Sequence, residues 1–184
     1  QGFEVDLAPV TRDGFVDVEK LADLIRPDTI LVSIMAANNE IGSIQPIKGI
    51  STLLEKHPTV SFHVDAVQAI GKMPLVDFLT ERVDFATFSG HKFHSVRGVG
   101  FIFAKEGKKI SPLLTGGGQE SDKRSTTENV AGIAATAKAL RLILDQFEAG
   151  QHRLLAMKKI ILEELSTYPD VTIFSQMEGF LPNI

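Results

Sequence analysis

The sequence predicts an α/β protein built around a mostly parallel β-sheet. Short apolar runs rich in β-branched residues alternate with segments whose apolar residues recur at helical spacing, and this alternation is typical of strand–helix–strand units. The first of these runs is apolar at almost every position, as in strands buried on both faces of a parallel sheet. Hydrophobic residues make up 43% of the chain and charged residues 23%, which indicates a globular protein.

The first half of the chain alternates between helix and strand. Asp17 is a candidate N-cap for a helix over residues 18–26, and the β-branched run at 29–35 is predicted to be a strand. Pro46 opens a predicted helix that continues to about residue 56. Strands are then predicted over residues 60–64, 83–89 and 98–104.

The second half is predicted to be mainly helical. A glycine-rich open loop at residues 116–118 precedes an alanine-rich helix over 128–146. We expect Gly150 to interrupt the helical pattern, a second helix to run from 151 to 166, and a strand to form at 171–174. The predicted domain division is therefore a sheet domain at 1–128 and, at 129–184, a connecting helix with the start of a small α+β domain.

Composition argues against several functional classes. The net charge is −4, and lysine and arginine are not clustered as they are on surfaces that bind nucleic acid or acidic membranes. The chain has no cysteine, so these residues hold no disulfide, thiolate metal site or cysteine nucleophile. No apolar run reaches the roughly 18–20 residues that span a bilayer. We expect a cytoplasmic protein, and the ends of the sequence suggest a segment of a longer chain.

Polar residues follow three predicted strands at their carboxyl ends, where ligands of open α/β sheets bind. A lysine in such a place can form an imine with an aldehyde. An aspartate on a neighbouring strand end can pair with a pyridinium nitrogen and make the ring an electron sink. Both parts are present, because the residues that follow the three strands are Asn38, Asn39 and Glu40, then Asp65 and Gln68, then Ser89, Gly90, His91 and Lys92.

Four motifs in this order resemble the cofactor site of the cysteine desulfurases, which belong to the class V aminotransferase family of fold-type I enzymes. The first is MAANNEIG at residues 35–42, and the second joins FHVDAVQ at 62–68 to FSGHK at 88–92. The others are GGGQE at 116–120 and RSTTEN at 124–129. The resemblance covers about residues 2–184. It implies the three-layer large domain of pyridoxal phosphate enzymes, present in part.

The resemblance implies pyridoxal 5'-phosphate as the cofactor and assigns roles around its ring. Lys92 would hold the cofactor through an imine and shuttle the α-proton of the substrate. Asp65 would pair with the pyridine nitrogen, and Gln68 would hydrogen-bond the phenolic oxygen. Asn39 would lie near that oxygen and the substrate carboxylate.

The resemblance also assigns residues to the cofactor phosphate. Ser89 and His91 would bind it within one subunit, and Thr127 would reach the phosphate of the other subunit of a homodimer. Where the family usually has Arg-Ser-Gly-Thr, this chain has a threonine, Thr126, in place of the glycine.

The implied reaction converts L-cysteine to L-alanine and passes the sulfur to an enzyme cysteine as a persulfide. A sulfur-acceptor protein, by default in iron–sulfur cluster assembly, would receive it next. In the family, the nucleophilic cysteine and the substrate-binding arginine would follow Ile184. The ring-stacking histidine and the phosphate-loop threonine would precede Gln1. We therefore expect the chain by itself to be inactive.

Three other functions remain open from the sequence. Within the family, a selenocysteine lyase or another class V enzyme would share the same motifs. A metal hydrolase would use the His-x-Asp and His-x-x-His spacings of His63, Asp65, His91 and His94. A non-catalytic binding domain is the third. A yellow preparation would indicate an imine, and bound metal would indicate the hydrolase.

Overall fold

A computed structural model describes residues 2–184 and contains one four-stranded sheet. Its strands are β1 (Leu31–Met35), β2 (Ser61–Asp65), β3 (Phe85–Ser89) and β4 (Gly100–Ala104), in the order β1-β2-β3-β4. The first three strands are parallel, and β4 is antiparallel to β3. The prediction of a mostly parallel α/β sheet is confirmed, with each strand beginning one or two residues later than predicted.

The described residues also form six helices and one 3₁₀ helix. Asp17 caps the first helix as predicted, because its Oδ1 accepts a hydrogen bond from Lys20 N at 3.1 Å. The helices are α1 (Val18–Leu24), α2 (Ile47–Glu55), α3 (Leu75–Phe78), α4 (Gln119–Asp122), α5 (Val130–Asp145) and α6 (Phe147–Leu165), and the 3₁₀ helix is Gly90–Phe93. None of these helices is long and apolar enough to cross a membrane.

The core lies between one face of the sheet and the first three helices. Alternate strand residues such as Phe62 and Val64 are fully buried, together with Ile50 of α2 and Phe78 of α3. On the opposite face of the sheet, Met35 of β1 is 40% exposed. The expectation that β1 is buried on both faces is therefore wrong, since only Val32 and Ile34 of this strand are buried. Burial follows the two-residue period of a strand with one covered face.

Two predictions for the second half are wrong. Gly150 lies inside α6, where its N–H donates to the Gln146 carbonyl at 2.9 Å, and the break between the helices falls at Gln146 instead. One glycine costs a helix only about 1 kcal/mol relative to alanine, so the surrounding helix formers prevail. Residues 171–174 form no strand, since they pair with no neighbouring strand.

The last residues return to the turn after β1. Leu181 N donates to the Gly42 carbonyl at 2.7 Å, and Ile44 N donates to the Gly179 carbonyl at 2.8 Å. Lys158 of α6 holds this segment from the other side by donating to the Leu181 carbonyl at 2.9 Å. Burial lowers the pKa of Lys158. The end of the chain is thus attached to the rim of the sheet at which the predicted site lies.

Candidate active site

The three parallel strands bring their carboxyl ends to one rim of the sheet. Met35 pairs in register with Asp65, and Asp65 pairs with Thr87, so the three residues lie side by side. Ser89 follows two positions beyond Thr87, on the same face of β3, about 6–7 Å further along the strand. The sheet therefore places the carboxylate of β2 next to the turn that carries the candidate lysine.

Lys92 lies in a tight 3₁₀ turn directly after β3. Gly90 opens the turn at a crowded point, where a Cβ atom would lie 2.9 Å from the Val99 carbonyl oxygen and 3.2 Å from Thr136 Oγ1. Phe93 is buried, and His94 ends the turn in the left-handed region with φ 70°. Lys92 is exposed between these fixed points. The local sequence thus places an exposed lysine in a tight turn whose flanking residues are packed.

Ser89 and His91 form a pair beside Lys92. The hydroxyl of Ser89 lies 2.9 Å from Nδ1 of His91, and His91 is exposed. A hydroxyl and an imidazole N–H are both donors that suit the oxygens of a phosphate group. The structure therefore brings together the two residues predicted to bind phosphate.

Asp65 is held by the turn that follows β2. Its Oδ1 accepts a hydrogen bond from Val67 N at 3.0 Å, and its side chain is exposed at the rim. A carboxylate has a second oxygen and further lone pairs, so one bond to the backbone leaves it able to accept another from a protonated ring nitrogen. This arrangement fits the predicted partner of a pyridine nitrogen.

Gln68 and Lys72 lie together in the same turn. Gln68 is only 7% exposed, and its Oε1 accepts a hydrogen bond from Nζ of Lys72. Burial, together with the positive charge of nearby Lys92, lowers the pKa of Lys72 to about 8. Two cationic lysines thus lie near each other, one half-buried and one exposed.

His63 bridges the three parallel strands one layer below Asp65. Its Nδ1 lies 2.7 Å from Ser33 Oγ on β1, and its Nε2 lies 3.1 Å from Thr87 Oγ1 on β3. Burial lowers the pKa of His63, although the charge of Asp65 acts in the opposite direction. Both ring nitrogens are engaged by hydroxyl groups. No cluster of three or more metal-binding side chains occurs within residues 2–184.

Two predicted site residues are not joined to this group. Asn39 is exposed in a turn that is closed by its neighbour, because Asn38 Oδ1 accepts hydrogen bonds from Glu40 N at 2.8 Å and Ile41 N at 3.0 Å. Thr127 is exposed between α4 and α5, and its carbonyl oxygen accepts a hydrogen bond from Thr126 Oγ1 at 3.5 Å. Thr126 itself has a negative φ, so threonine is accommodated where the family usually has glycine. Roles for Asn39 and Thr127 stay predictions.

The residues at the rim fit pyridoxal phosphate by their chemistry. Lys92 has an amine that can react with an aldehyde, and Asp65 has a carboxylate that can pair with a ring nitrogen. Ser89 and His91 have donors that can bind a phosphate. Lys72 was missed by the sequence reasoning. No pattern along the chain signals it, because the i,i+4 rule applies to helices and residues 67–72 form a turn.

A family model and two curated relatives identify the family to which the chain is similar. Residues 1–179 match the Aminotransferase class-V family. A "NifS/IcsS protein homolog" of Lactobacillus delbrueckii subsp. bulgaricus is 48% identical over 184 residues, which are 100% of this chain and 48% of that protein. A protein named cysteine desulfurase IscS, of Dictyoglomus turgidum, is 42% identical over 99% of this chain and 46% of its own length.

A solved structure agrees with these relatives. A "NIFS-LIKE PROTEIN" superposes with a TM-score of 0.92 at 40% sequence identity, over 98% of this chain and 49% of the other. The fold is therefore that of a NifS-like protein in part. The chain spans about half the length of the curated relatives it matches.

Proposed function

The chain belongs to the aminotransferase class-V family, and we propose that it is the central part of a pyridoxal phosphate-dependent cysteine desulfurase. In this enzyme Lys92 would hold the cofactor. One observation carries the proposal. Lys92 is exposed in a tight 3₁₀ turn between the Ser89–His91 pair and the buried Phe93, and the neighbouring strand ends at Asp65. An amine, a hydroxyl–imidazole pair whose donors suit a phosphate, and a carboxylate thus lie on the rim where α/β sheets bind ligands.

Each rim residue has a defined task in this proposal. Lys92 binds the aldehyde carbon covalently and later carries the proton removed from Cα of the substrate. Asp65 keeps the ring nitrogen protonated, and Ser89 and His91 hold the phosphate. When bound, pyridoxal phosphate supplies an electron sink for the negative charge that develops at Cα. Gln68 holds the phenolic oxygen and so fixes the ring relative to Lys92.

The proposed overall reaction takes L-cysteine and an enzyme thiol to L-alanine and an enzyme persulfide. The Cβ–S bond of the substrate breaks, an S–S bond forms, and the atoms balance without a further reactant. These 184 residues contain no cysteine, so the accepting thiolate is not among them. We therefore assign to this chain the binding of cofactor and the proton transfer, and not the acceptance of sulfur.

Further features of the proposal come from the resemblance. The protein would be a cytoplasmic homodimer in which Asn39 lies near the substrate and Thr127 reaches the phosphate of the other subunit. Residues 1–128 would form part of the cofactor domain, and 129–184 would lead into a smaller one. A sulfur-acceptor protein, in iron–sulfur cluster assembly by default, would take the persulfide sulfur.

The test is an assay of L-cysteine-dependent alanine formation by the full-length protein that carries these residues, supplied with pyridoxal phosphate. We expect turnover in the unsubstituted protein and at least a thousandfold loss in Lys92→Ala, because a covalent role cannot be replaced by a methyl group. Lys109→Ala is the matched control, since Lys109 is an exposed lysine that follows the end of β4, which pairs with the start of β3 opposite the rim. Equal rates in Lys92→Ala and the unsubstituted protein would contradict the proposal.

A further inference from the structure

The side-chain amide of Gln68 has one fixed orientation. An amide offers an oxygen that only accepts hydrogen bonds and an NH₂ group that only donates them, whereas a lysine ammonium only donates. Since Nζ of Lys72 contacts Gln68, the oxygen Oε1 must be the end that faces it. The NH₂ group is then the end that is left to face a ligand.

The turn that carries both residues is itself well fixed. Lys72 N donates to the Ala69 carbonyl at 3.0 Å, and the Gly71 carbonyl accepts from Nε2 of Gln151 at 3.1 Å. Gly71 has φ +73°, and a Cβ atom there would lie 2.3 Å from Ile143 Cγ1. Helices α5 and α6 therefore hold the turn from outside, and Gln68 and Lys72 keep their spacing.

Lys72 is held in a place that a lysine does not normally favour. It is half-buried, which lowers its pKa, and the positive charge of Lys92 acts in the same direction. A lysine that made no useful contact would leave such a position for solvent, since ammonium groups are strongly hydrated. The contact with the buried Gln68 gives this lysine its partner.

From this geometry we infer that Lys72 is a positioning residue that fixes the amide of Gln68 with its NH₂ group toward the cofactor. The inference rests on the proposed function, because it takes the ligand at the rim to be pyridoxal phosphate. The NH₂ group would then donate to the phenolic oxygen of the ring. Without Lys72 the Gln68 amide could rotate and turn its Oε1 toward the cofactor. That oxygen would repel the phenolic oxygen of the ring.

The experiment is a double-substitution cycle on the full-length protein, read out as the dissociation constant of pyridoxal phosphate and the absorption spectrum of the bound cofactor. We expect Lys72→Met to weaken binding about tenfold, the effect of losing one oriented hydrogen bond to a charged group. We also expect it to change the ratio of the visible to the near-ultraviolet band. Lys72→Arg, which keeps a donor-only cation, should restore both readouts to within about threefold.

The Gln68→Ala background separates positioning from other roles of Lys72. If Lys72 acts through Gln68, adding Lys72→Met to Gln68→Ala should change affinity less than about twofold, because the group that it positions is gone. A structural effect, or a direct attraction of the cation for the anionic cofactor, would weaken binding by the same factor in both backgrounds. That result would overturn the inference.

Borohydride trapping distinguishes this inference from the proposed function. A cofactor adduct on Lys92 in every variant, together with equal effects of Lys72→Met in the two backgrounds, would overturn only the role of Lys72. No adduct on Lys92 in the unsubstituted protein would overturn the proposed function and the inference with it.

Discussion

The hydroxyl of Ser89 lies 2.9 Å from Nδ1 of His91, across the turn that joins β3 to the 3₁₀ helix carrying Lys92. Ser89 is the last residue of β3, whereas His91 lies in the 3₁₀ helix that follows. Gly90 between them lies against the Val99 carbonyl oxygen, which would be 2.9 Å from a Cβ atom at this position. The pair is therefore a consequence of the turn, and we expect it to act as one phosphate-binding unit.

Removing either member of this pair should weaken the binding of pyridoxal phosphate selectively. We expect Ser89→Ala and His91→Ala each to raise the dissociation constant by about tenfold, since each removes a hydrogen bond to a charged group. Unphosphorylated pyridoxal is the matched ligand, and its affinity should change little. Spectrophotometric titration measures both, and an equal loss for the two ligands would show that the pair does not bind phosphate.

A buried ionic cluster at the opposite end of the sheet should determine much of the stability. Asp84 is 3% exposed and accepts hydrogen bonds from Phe62 N and Arg82 Nη1, both at 2.9 Å, while Lys108 Nζ lies 3.1 Å from its other oxygen. We expect Asp84→Ala to cost about 3–5 kcal/mol in the free energy of unfolding, because it leaves buried donors and a cation without their partner. Urea denaturation measures this value.

Asp77 provides the matched control for that experiment. It pairs with Lys48 at 2.5 Å, and the two side chains are 37% and 64% exposed. An exposed ion pair contributes about 0–1 kcal/mol, so Asp77→Ala should have a small effect. Similar losses in the two variants would mean that the Asp84 cluster contributes no more than a surface pair.

Two glycine substitutions should have opposite effects on stability. Gly90→Ala places a Cβ atom 2.9 Å from a backbone oxygen and should destabilise the protein by about 1–3 kcal/mol. Gly150→Ala lies in the interior of α6 with nothing within 4 Å, and should stabilise it by about 0.4–1 kcal/mol. Thermal unfolding of the two variants checks both signs. A destabilising Gly150→Ala would argue against a helix that continues through this residue.

Lys72 should make stability depend on pH in the alkaline range. Burial and the charge of Lys92 hold its pKa at about 8, below the ordinary value of 10.5. Between these values the unfolded chain therefore binds more protons than the folded one. The contribution of this group to stability therefore rises with pH across that window. Lys72→Met and Lys72→Arg do not titrate there, and both should remove this rise. If the rise persists in Lys72→Met, another group causes it.

Much of the fold and of the site could be predicted from the sequence. The strands that end at Met35, Asp65 and Ser89 are short apolar runs with polar residues directly after them, and parallel strands bring such ends to one rim. Asp17 was identifiable as a cap because its role depends only on the next three residues. Local patterns of this kind determine local structure.

Other features depend on contacts that a linear pattern does not contain. The residues at 171–174 are apolar and β-branched, but a strand requires a neighbour, and none is available to them in the described structure. The one-sided burial of β1 depends on which helices cover the sheet. Lys72 was missed because its importance comes from the orientation of the Gln68 amide, which becomes visible only in three dimensions.

Chemical trapping of the cofactor tests the covalent role proposed for Lys92. The full-length protein is incubated with pyridoxal phosphate, reduced with borohydride, digested and mapped by mass spectrometry. We expect a reduced cofactor adduct on Lys92, a visible absorption band that disappears on reduction, and neither signal in Lys92→Ala. An adduct on a different lysine, or the same band in Lys92→Ala, would contradict it.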